Sequence, residues 1–200
     1  MNNSGITIRM AVPEDARELL SIYDYYVKET AITFEYDTPS VEEFSGRIET
    51  VLEKFPYLVL EECEDKNVKS GASDDGFGRK ILGYAYASPF HVRKAYQWCA
   101  EMSIYLHKDA RKRGLGRMLY DELERRLKDM GILNLNACIG YPDKEDEHLT
   151  FASVRFHEKM GYSMVGEFHK CGFKFGRWYN MVWMEKLVGE HTDNPAEPLT

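Results

Sequence analysis

The sequence predicts a single-domain α/β (α+β) fold, with a mixed central sheet and flanking helices. Three observations predict it. Short β-branched or aromatic runs alternate with stretches of helical apolar spacing along the chain. A strand–turn–helix–strand unit fills the centre, over residues 99–139. A length of 200 residues allows one substantial core and falls short of two.

The elements follow in order. Residues 6–12 (ITIRMAV) alternate and are β-branched, which predicts a first strand. Pro13 then stands at a helix start, and Ala16, Leu19, Leu20, Tyr23 and Val27 recur at helical spacing. A second helix is expected after Ser40, running to about Phe55. Residues 56–60 and 81–87 read as strands. Between them, 65–79 is polar and glycine-rich, a long mobile hairpin loop by composition. Residues 99–106 make another strand, and the helix after Arg111 leads to a strand at 134–139. A helix is expected over 150–160, then two strands, about 162–169 and 178–187. From Gly189 the chain has two prolines and few apolar residues, so the domain is drawn at 1–188 with a disordered tail over 189–200. There is no internal repeat.

Charge narrows the function. With 26 Lys and Arg against 33 Asp and Glu, the formal net charge is −7, a poor match to nucleic acid or an anionic membrane. No apolar stretch approaches the roughly 20 residues that span a bilayer. The opening M-N-N-S-G lacks a basic region followed by an apolar run, which predicts a cytoplasmic protein. Cys63, Cys99, Cys138 and Cys171 lie far apart with no C-x-x-C pair, and are expected to be buried thiols. His148 and His157 have no partner at a zinc spacing, so no metal is expected.

A basic cluster inside an acidic chain is a local feature. R111-K-R-G-L-G-R-M-L-Y-D-E-L begins with Arg111, Lys112 and Arg113 around two glycines, then becomes helical. It lacks the G-K-[ST] of a P-loop, and the third glycine of a dinucleotide fingerprint would fall at Leu119. Leu115, Leu119, Leu123, Leu127 and Met130 form one apolar stripe that fixes the helix on a sheet. Its N-terminus therefore points at one place, where free N–H groups and the helix dipole attract an anion. Cations at that end oppose the dipole, which favours an anionic ligand over helix stabilisation as their role. Gly114 and Gly116 carry no side chain to keep a diphosphate from the backbone.

The run Y96-Q-W-C-A-E-M-S-I-Y-L106, followed by R111-K-R-G-L-G116, resembles the acetyl-CoA-binding core of the GCN5-related N-acetyltransferases (GNAT). T33-F-E-Y-D-T-P39, R93-K-A-Y96, S153-V-R-F-H-E-K-M-G-Y162 and G172-F-K-F-G-R-W178 resemble its phosphinothricin acetyltransferase branch, which includes methionine sulfone and sulfoximine acetyltransferases. The resemblance spans about residues 6–187 in order. It implies acetyl transfer from acetyl-CoA to the primary amine of an amino-acid-like acceptor, directly and in a ternary complex. It also implies a sheet splayed at the cofactor and pairing of two copies into a homodimer.

The resemblance assigns cofactor contacts to Ile104, Tyr105 and Leu106, and the pyrophosphate loop to Lys112, Arg113, Gly114, Leu115, Gly116 and Arg117, with Thr150 and Lys159 beside them. A strand edge supplies the backbone partners that a peptide-like pantetheine arm needs, and an N–H there would polarise the thioester carbonyl. Glu101, alone as a charge in its strand, is expected to be the base, with burial raising its pKa. His157 is expected to relay a proton or position substrate, or to be structural. Phe34, Arg93, Tyr96, Met102 and Ser103 match the acceptor pocket, where Arg93 would pair with a carboxylate. Three positions depart from the branch. Thr150 replaces an asparagine that holds the pantetheine arm, Asn180 replaces an aspartate, and residues 141–148 add an acidic loop near the cofactor mouth. Rival expectations are a different amine such as a polyamine, a covalent route through Cys99, and a non-catalytic CoA-binding sensor that could dispense with Glu101.

Overall fold

The structure, a computed structural model, describes residues 5–63 and 79–199. Fourteen positions of the expected hairpin loop, 65–78, lie outside the described residues. The chain forms β1 (Ile6–Met10), α1 (Ala16–Glu29), α2 (Val41–Leu52), β2 (Tyr57–Cys63), β3 (Arg79–Pro89), β4 (Cys99–Leu106), α3 (Leu115–Asp129), β5 (Asn134–Tyr141), α4 (Ala152–Lys159), β6 (Ser163–Lys174) and β7 (Arg177–Leu187). Each expected element is present, with ends displaced by a few residues. The last two strands are longer than expected because they pair with each other through two register shifts, one after Met164 and one after Phe168.

The strands make one seven-stranded sheet in the order β1-β2-β3-β4-β5-β7-β6. Only β4 and β5 run parallel, joined through α3 as a crossover connection requires. The two faces are covered separately. Leu115, Leu119, Leu123 and Leu127 of α3 pack on Ala100, Met102, Leu135 and Ala137 on one face. On the other, Leu19, Tyr23 and Val27 of α1 and Phe44 and Ile48 of α2 pack on Val59, Ile81 and Tyr84.

Side-chain caps and ion pairs fix the corners. Ser40 accepts from the Glu43 N–H and starts α2. Buried Asp15 receives both ends of the Arg9 guanidinium at 2.7 Å, and Arg9 also reaches Glu61 at 2.9 Å, tying β1 and β2 to the start of α1. Residues 189–199, read from composition as disordered, lie against the body without helix or strand. The Trp98 indole donates to the Ala196 carbonyl at 2.8 Å, Lys94 meets Glu197 at 2.9 Å, and the Leu199 N–H donates to the Met130 carbonyl at 2.8 Å.

Candidate active site

The parallel pairing of β4 with β5 is three residues long, from Cys99↔Asn134 to Glu101↔Asn136. Beyond Glu101 the strands part, β4 staying with β3 and β5 with β7. The gap is a wedge lined by Ile32, Ser103, Ile104, Ala137, Cys138 and His157, among others. Along β4 the backbone groups alternate between the two neighbours. His107 and Cys99 bond toward β3, through Leu82 and Phe90, so the even-numbered residues face the wedge. Ile104 therefore turns its N–H and carbonyl into the gap, with no strand opposite. Leu106 does the same, but the Tyr26 hydroxyl accepts from its N–H at 3.1 Å and donates to its carbonyl at 2.7 Å. Tyr105 bonds to β3 instead, opposite Tyr84. Of the three expected backbone contacts, Ile104 is the open one.

The basic turn sits at the same end of β4. Lys112 and Gly114 both take left-handed conformations, φ 63° and 79°. That curls the backbone ahead of α3, whose N-terminus no side chain caps. The two glycines differ in role. A Cβ on Gly114 would meet nothing within 4 Å, so this glycine serves the turn's φ and leaves its outer side open. A Cβ on Gly116 would lie 3.3 Å from Leu106 and 3.4 Å from Phe156, so this glycine lets α3 seat closely on β4 and α4. The flanking cations are mostly engaged. Arg111 lies over the Tyr25 and Tyr26 rings, each at 5.2 Å, Arg113 pairs with Glu62 at 2.7 Å, and Arg117 donates to the Lys159 carbonyl at 2.7 Å. Uncapped N–H groups, a left-handed turn and an unpaired strand edge along one line fit a pyrophosphate followed by an amide-bearing arm.

Glu101 stands where the wedge begins. Its carboxylate has no hydrogen bond or ion pair among the described residues, and burial alone raises its pKa. A half-buried, unpaired carboxylate beside an open cleft is what a proton acceptor requires. His157 is 4% exposed, with both ring nitrogens engaged. The Ser153 carbonyl can only accept, so Nδ1 carries the proton, at 2.8 Å, and Nε2 accepts from the Tyr120 hydroxyl at 2.9 Å. Burial lowers its pKa to about 4, so at neutral pH the ring is uncharged.

The expected acceptor residues are dispersed. Ser103 lies on the wedge, and Met102 is buried, its sulfur accepting from Tyr162 at 3.0 Å. Phe34 packs on Gly172 and stacks on Tyr179 at 6.5 Å. Arg93 and Tyr96 lie on the exposed segment before β4, where Tyr96 stacks on His91 at 5.0 Å and the Arg93 side chain has no partner among the described residues. Lys159 is exposed at the end of α4, and the Thr150 hydroxyl accepts from the Ala152 N–H at 3.3 Å.

The buried-thiol expectation is corrected. Cys63, Cys138 and Cys171 are exposed and Cys99 half-buried, and all four are free. Cys138 misled because its strand is apolar, yet Ala137 and Ile139 take the face under α3 and Cys138 points to the other, where the α1/α2 cluster includes no residue of β5. Surrounding protein still pushes its thiol up to about 12, which keeps it protonated.

The acidic loop is used internally. Asp146 receives the N–H groups of His148 and Leu149 and the Tyr179 hydroxyl, and Glu147 pairs with Arg177 at 2.8 Å. Asn180 is buried and donates to Asp143 at 2.8 Å and Glu167 at 2.6 Å. An aspartate there would place three carboxylates together, so the amide fits the loop. Sequence reasoning missed Tyr26 and Tyr120. The only local signal for Tyr120 is a hydroxyl on the buried leucine face of α3, and Tyr26 gives none, since its partner is 80 residues away.

A family model described as an acetyltransferase (GNAT) domain matches residues 8–183. The chain is a GNAT acetyltransferase. It is 32% identical to a phosphinothricin N-acetyltransferase of Streptomyces coelicolor over 90% of this chain and 95% of that one. It is 28% identical to an L-methionine sulfoximine/L-methionine sulfone acetyltransferase of Salmonella typhimurium, over 93% and 96%. A phosphinothricin acetyltransferase of Sinorhizobium meliloti, solved in complex with acetyl-CoA, superposes with a TM-score of 0.80 at 32% identity, over 98% of this chain and 95% of that one. The GNAT acetyltransferase thus carries the mixed seven-stranded α/β fold of its family and is an acetyl-CoA-dependent N-acetyltransferase.

Proposed function

We propose that this acetyltransferase acts on the primary amine of a small amino-acid-like acceptor, of the phosphinothricin, methionine sulfone or methionine sulfoximine type, by direct attack in a ternary complex. Glu101 carries the reading. It is a charge on an otherwise neutral strand, unpaired, half-buried, and placed where β4 leaves β5. An α-amino group has a free pKa of about 7.7–8, so a carboxylate of raised pKa suffices to take its proton, directly or through one water.

Acetyl-CoA supplies the activated acetyl group when bound. The Ile104 amide and the Lys112–Arg117 turn hold it, with Thr150 and Lys159 at the rim. Leu106 and Tyr105 act by keeping β4 in place, through Tyr26 and β3 respectively. Arg93, whose guanidinium is free among the described residues, pairs with the acceptor carboxylate, while Phe34, Tyr96 and Ser103 shape the space around it; Met102, buried on the α3 face, supports β4 from behind instead of lining that space. His157 positions rather than relays, since both its nitrogens are engaged and it is neutral.

We also infer a cytoplasmic homodimer. The edge strand β6 and its hairpin expose Met164, Val165, Phe168, Phe173 and Trp178, an apolar edge that a second copy would cover. Among the described residues no helix is long and apolar enough to cross a membrane.

The test is CoA release with acetyl-CoA and a panel of phosphinothricin, methionine sulfone, methionine sulfoximine, common amino acids and polyamines. Turnover of amino-acid-like amines supports the reading. Turnover of polyamines alone would discard the acceptor, and tight acetyl-CoA binding without turnover would point to a sensor.

A further inference from the structure

A second concavity lies on the α1/α2 face of the sheet. Phe44 and Ile48 of α2 are buried in the core, whereas Glu43, Gly46, Arg47 and Thr50, spaced i, i+3, i+4 and i+7, form one wall of a groove. Its floor is Tyr57, Tyr86 and Ser88 of β2 and β3. The Tyr57 and Tyr86 rings are near-parallel, 4.9 Å apart at 17°, and Tyr84 extends the tier 5.6 Å from Tyr57 at 23°.

The groove adjoins the catalytic end of β4. Ser88 pairs directly with Glu101 and Tyr86 with Ser103, so all four side chains leave the same face of the sheet. An acceptor with its nitrogen at Glu101 has this groove beside it, one strand away. The charges on the wall limit what can enter. Arg47 donates to Glu35 at 2.7 Å and to Glu43 at 2.6 Å, so the one cation of the wall is already shared by two carboxylates. An anionic tail finds no free cation there among the described residues, while an uncharged apolar side chain gains contact with the partly exposed Tyr86 ring.

Gly46 is the second observation. It lies in the interior of α2, where glycine costs helix stability relative to alanine. Neither backbone nor packing calls for it, because a Cβ there would meet nothing within 4 Å. A larger side chain at this position would instead fill the groove.

We propose that this groove is a subsite beside the reacting amine that receives large, uncharged aromatic side chains, so that phenylalanine, tryptophan and phenethylamine are accepted alongside short amino-acid analogues whose own side chains do not reach it. The inference rests on Glu101 marking the reacting amine. The experiment compares wild type, Gly46→Ala and Gly46→Leu in two assays: acetyl transfer to phenethylamine, phenylalanine and methionine sulfone, and calorimetric binding of phenethylamine to the enzyme saturated with CoA. Both substitutions raise helix propensity, so a melting temperature at or above wild type shows that the fold is kept. The expected result is turnover of the aromatic amines by wild type and Gly46→Ala. In Gly46→Leu their kcat/KM falls roughly 10-fold or more, mainly through KM, and methionine sulfone is unchanged. Turnover of methionine sulfone without the aromatic amines would overturn the groove and leave the acceptor reading intact. So would an equal loss for every acceptor in Gly46→Leu. If no amine is acetylated yet phenethylamine binds and Gly46→Leu abolishes that binding, the groove stands and the acceptor reading falls. Absent binding overturns the groove.

Discussion

Mild acid should destabilise this protein through one residue, His157. Burial holds its folded pKa at about 4, against an ordinary 6.5 that the unfolded chain recovers. Below pH 6.5 the unfolded chain takes up the proton and the folded chain does not, so acid pulls the equilibrium toward unfolding. The stability is fully present above pH 6.5 and is lost as pH falls toward 4. At 1.36 kcal/mol per unit, the loss is about 2 kcal/mol at pH 5 and about 3 kcal/mol at pH 4. The group is 4% exposed, so solvent screening subtracts little. Carboxylates with lowered pKa, such as Asp15 and Asp146, titrate below their ordinary 3.8, and Glu101, whose pKa burial raises, shifts stability the other way as pH falls, so neither accounts for a loss between pH 6.5 and 5. Urea unfolding of wild type and His157→Asn at pH 7, 6 and 5 reads this directly. Asparagine keeps a donor near the Ser153 carbonyl but cannot titrate, so its stability should fall by about 2 kcal/mol less between pH 7 and 5. Parallel curves for the two proteins would refute the account of His157 as a buried neutral ring. So would an imidazole that titrates near 6.5 by NMR.

Further outcomes are expected at three residues. Glu101→Gln should lower turnover by roughly 100-fold or more with acetyl-CoA affinity nearly unchanged, and calorimetry with stopped-time CoA release separates the two. Because burial raises the Glu101 pKa, wild-type activity should fade as pH drops through a value above the usual 4.5, a limb that Glu101→Gln lacks. Gly116→Glu should abolish acetyl-CoA binding, while Gly116→Ala, whose Cβ meets Leu106 at 3.3 Å and Phe156 at 3.4 Å, should cost about 1 kcal/mol of overpacking and lower the melting temperature by roughly 2–4 °C. Unchanged melting and binding in both would contradict the close seating of α3. Lys174 is buried and donates to the Thr30 and Thr33 carbonyls at 2.9 and 2.8 Å, holding Ile32 against the wedge. Lys174→Met should strand both carbonyls, costing about 1–3 kcal/mol, and should raise the acceptor KM; an unaltered KM would remove the loop from the site.

Much of the fold was legible in local pattern. The four leucines of α3 step along one face, and all four are buried. The composition of 99–106 predicts a strand, and it also isolates Glu101 as the one charge on it. Other readings failed because their partners are remote. An apolar run marks β5 but not which of its faces is covered, so Cys138 was expected inside. Gly116 reads as room for a ligand until the Leu106 and Phe156 side chains, brought in from two other elements, show it as room for packing. Arg93 and Phe34 share a motif set in sequence, yet the fold gives one to an exposed segment and the other to a stack with Tyr179.

By itself the sequence determined the order of strands and helices, the basic turn at the head of α3 and the family to which these belong. Those features depend on side-chain periodicity and backbone preference over a few neighbouring residues. Only the tertiary structure decided where β4 and β5 separate, which amides remain open there, which cations are already paired, and that a groove remains between α2 and the Tyr57–Tyr86 pair. The physical reason is that a hydrogen bond withheld or a groove left unfilled is a relation between segments far apart in the chain. Tyr26 on Leu106 and Lys174 on Thr30, 80 and 144 residues apart, are settled by the packed sheet alone.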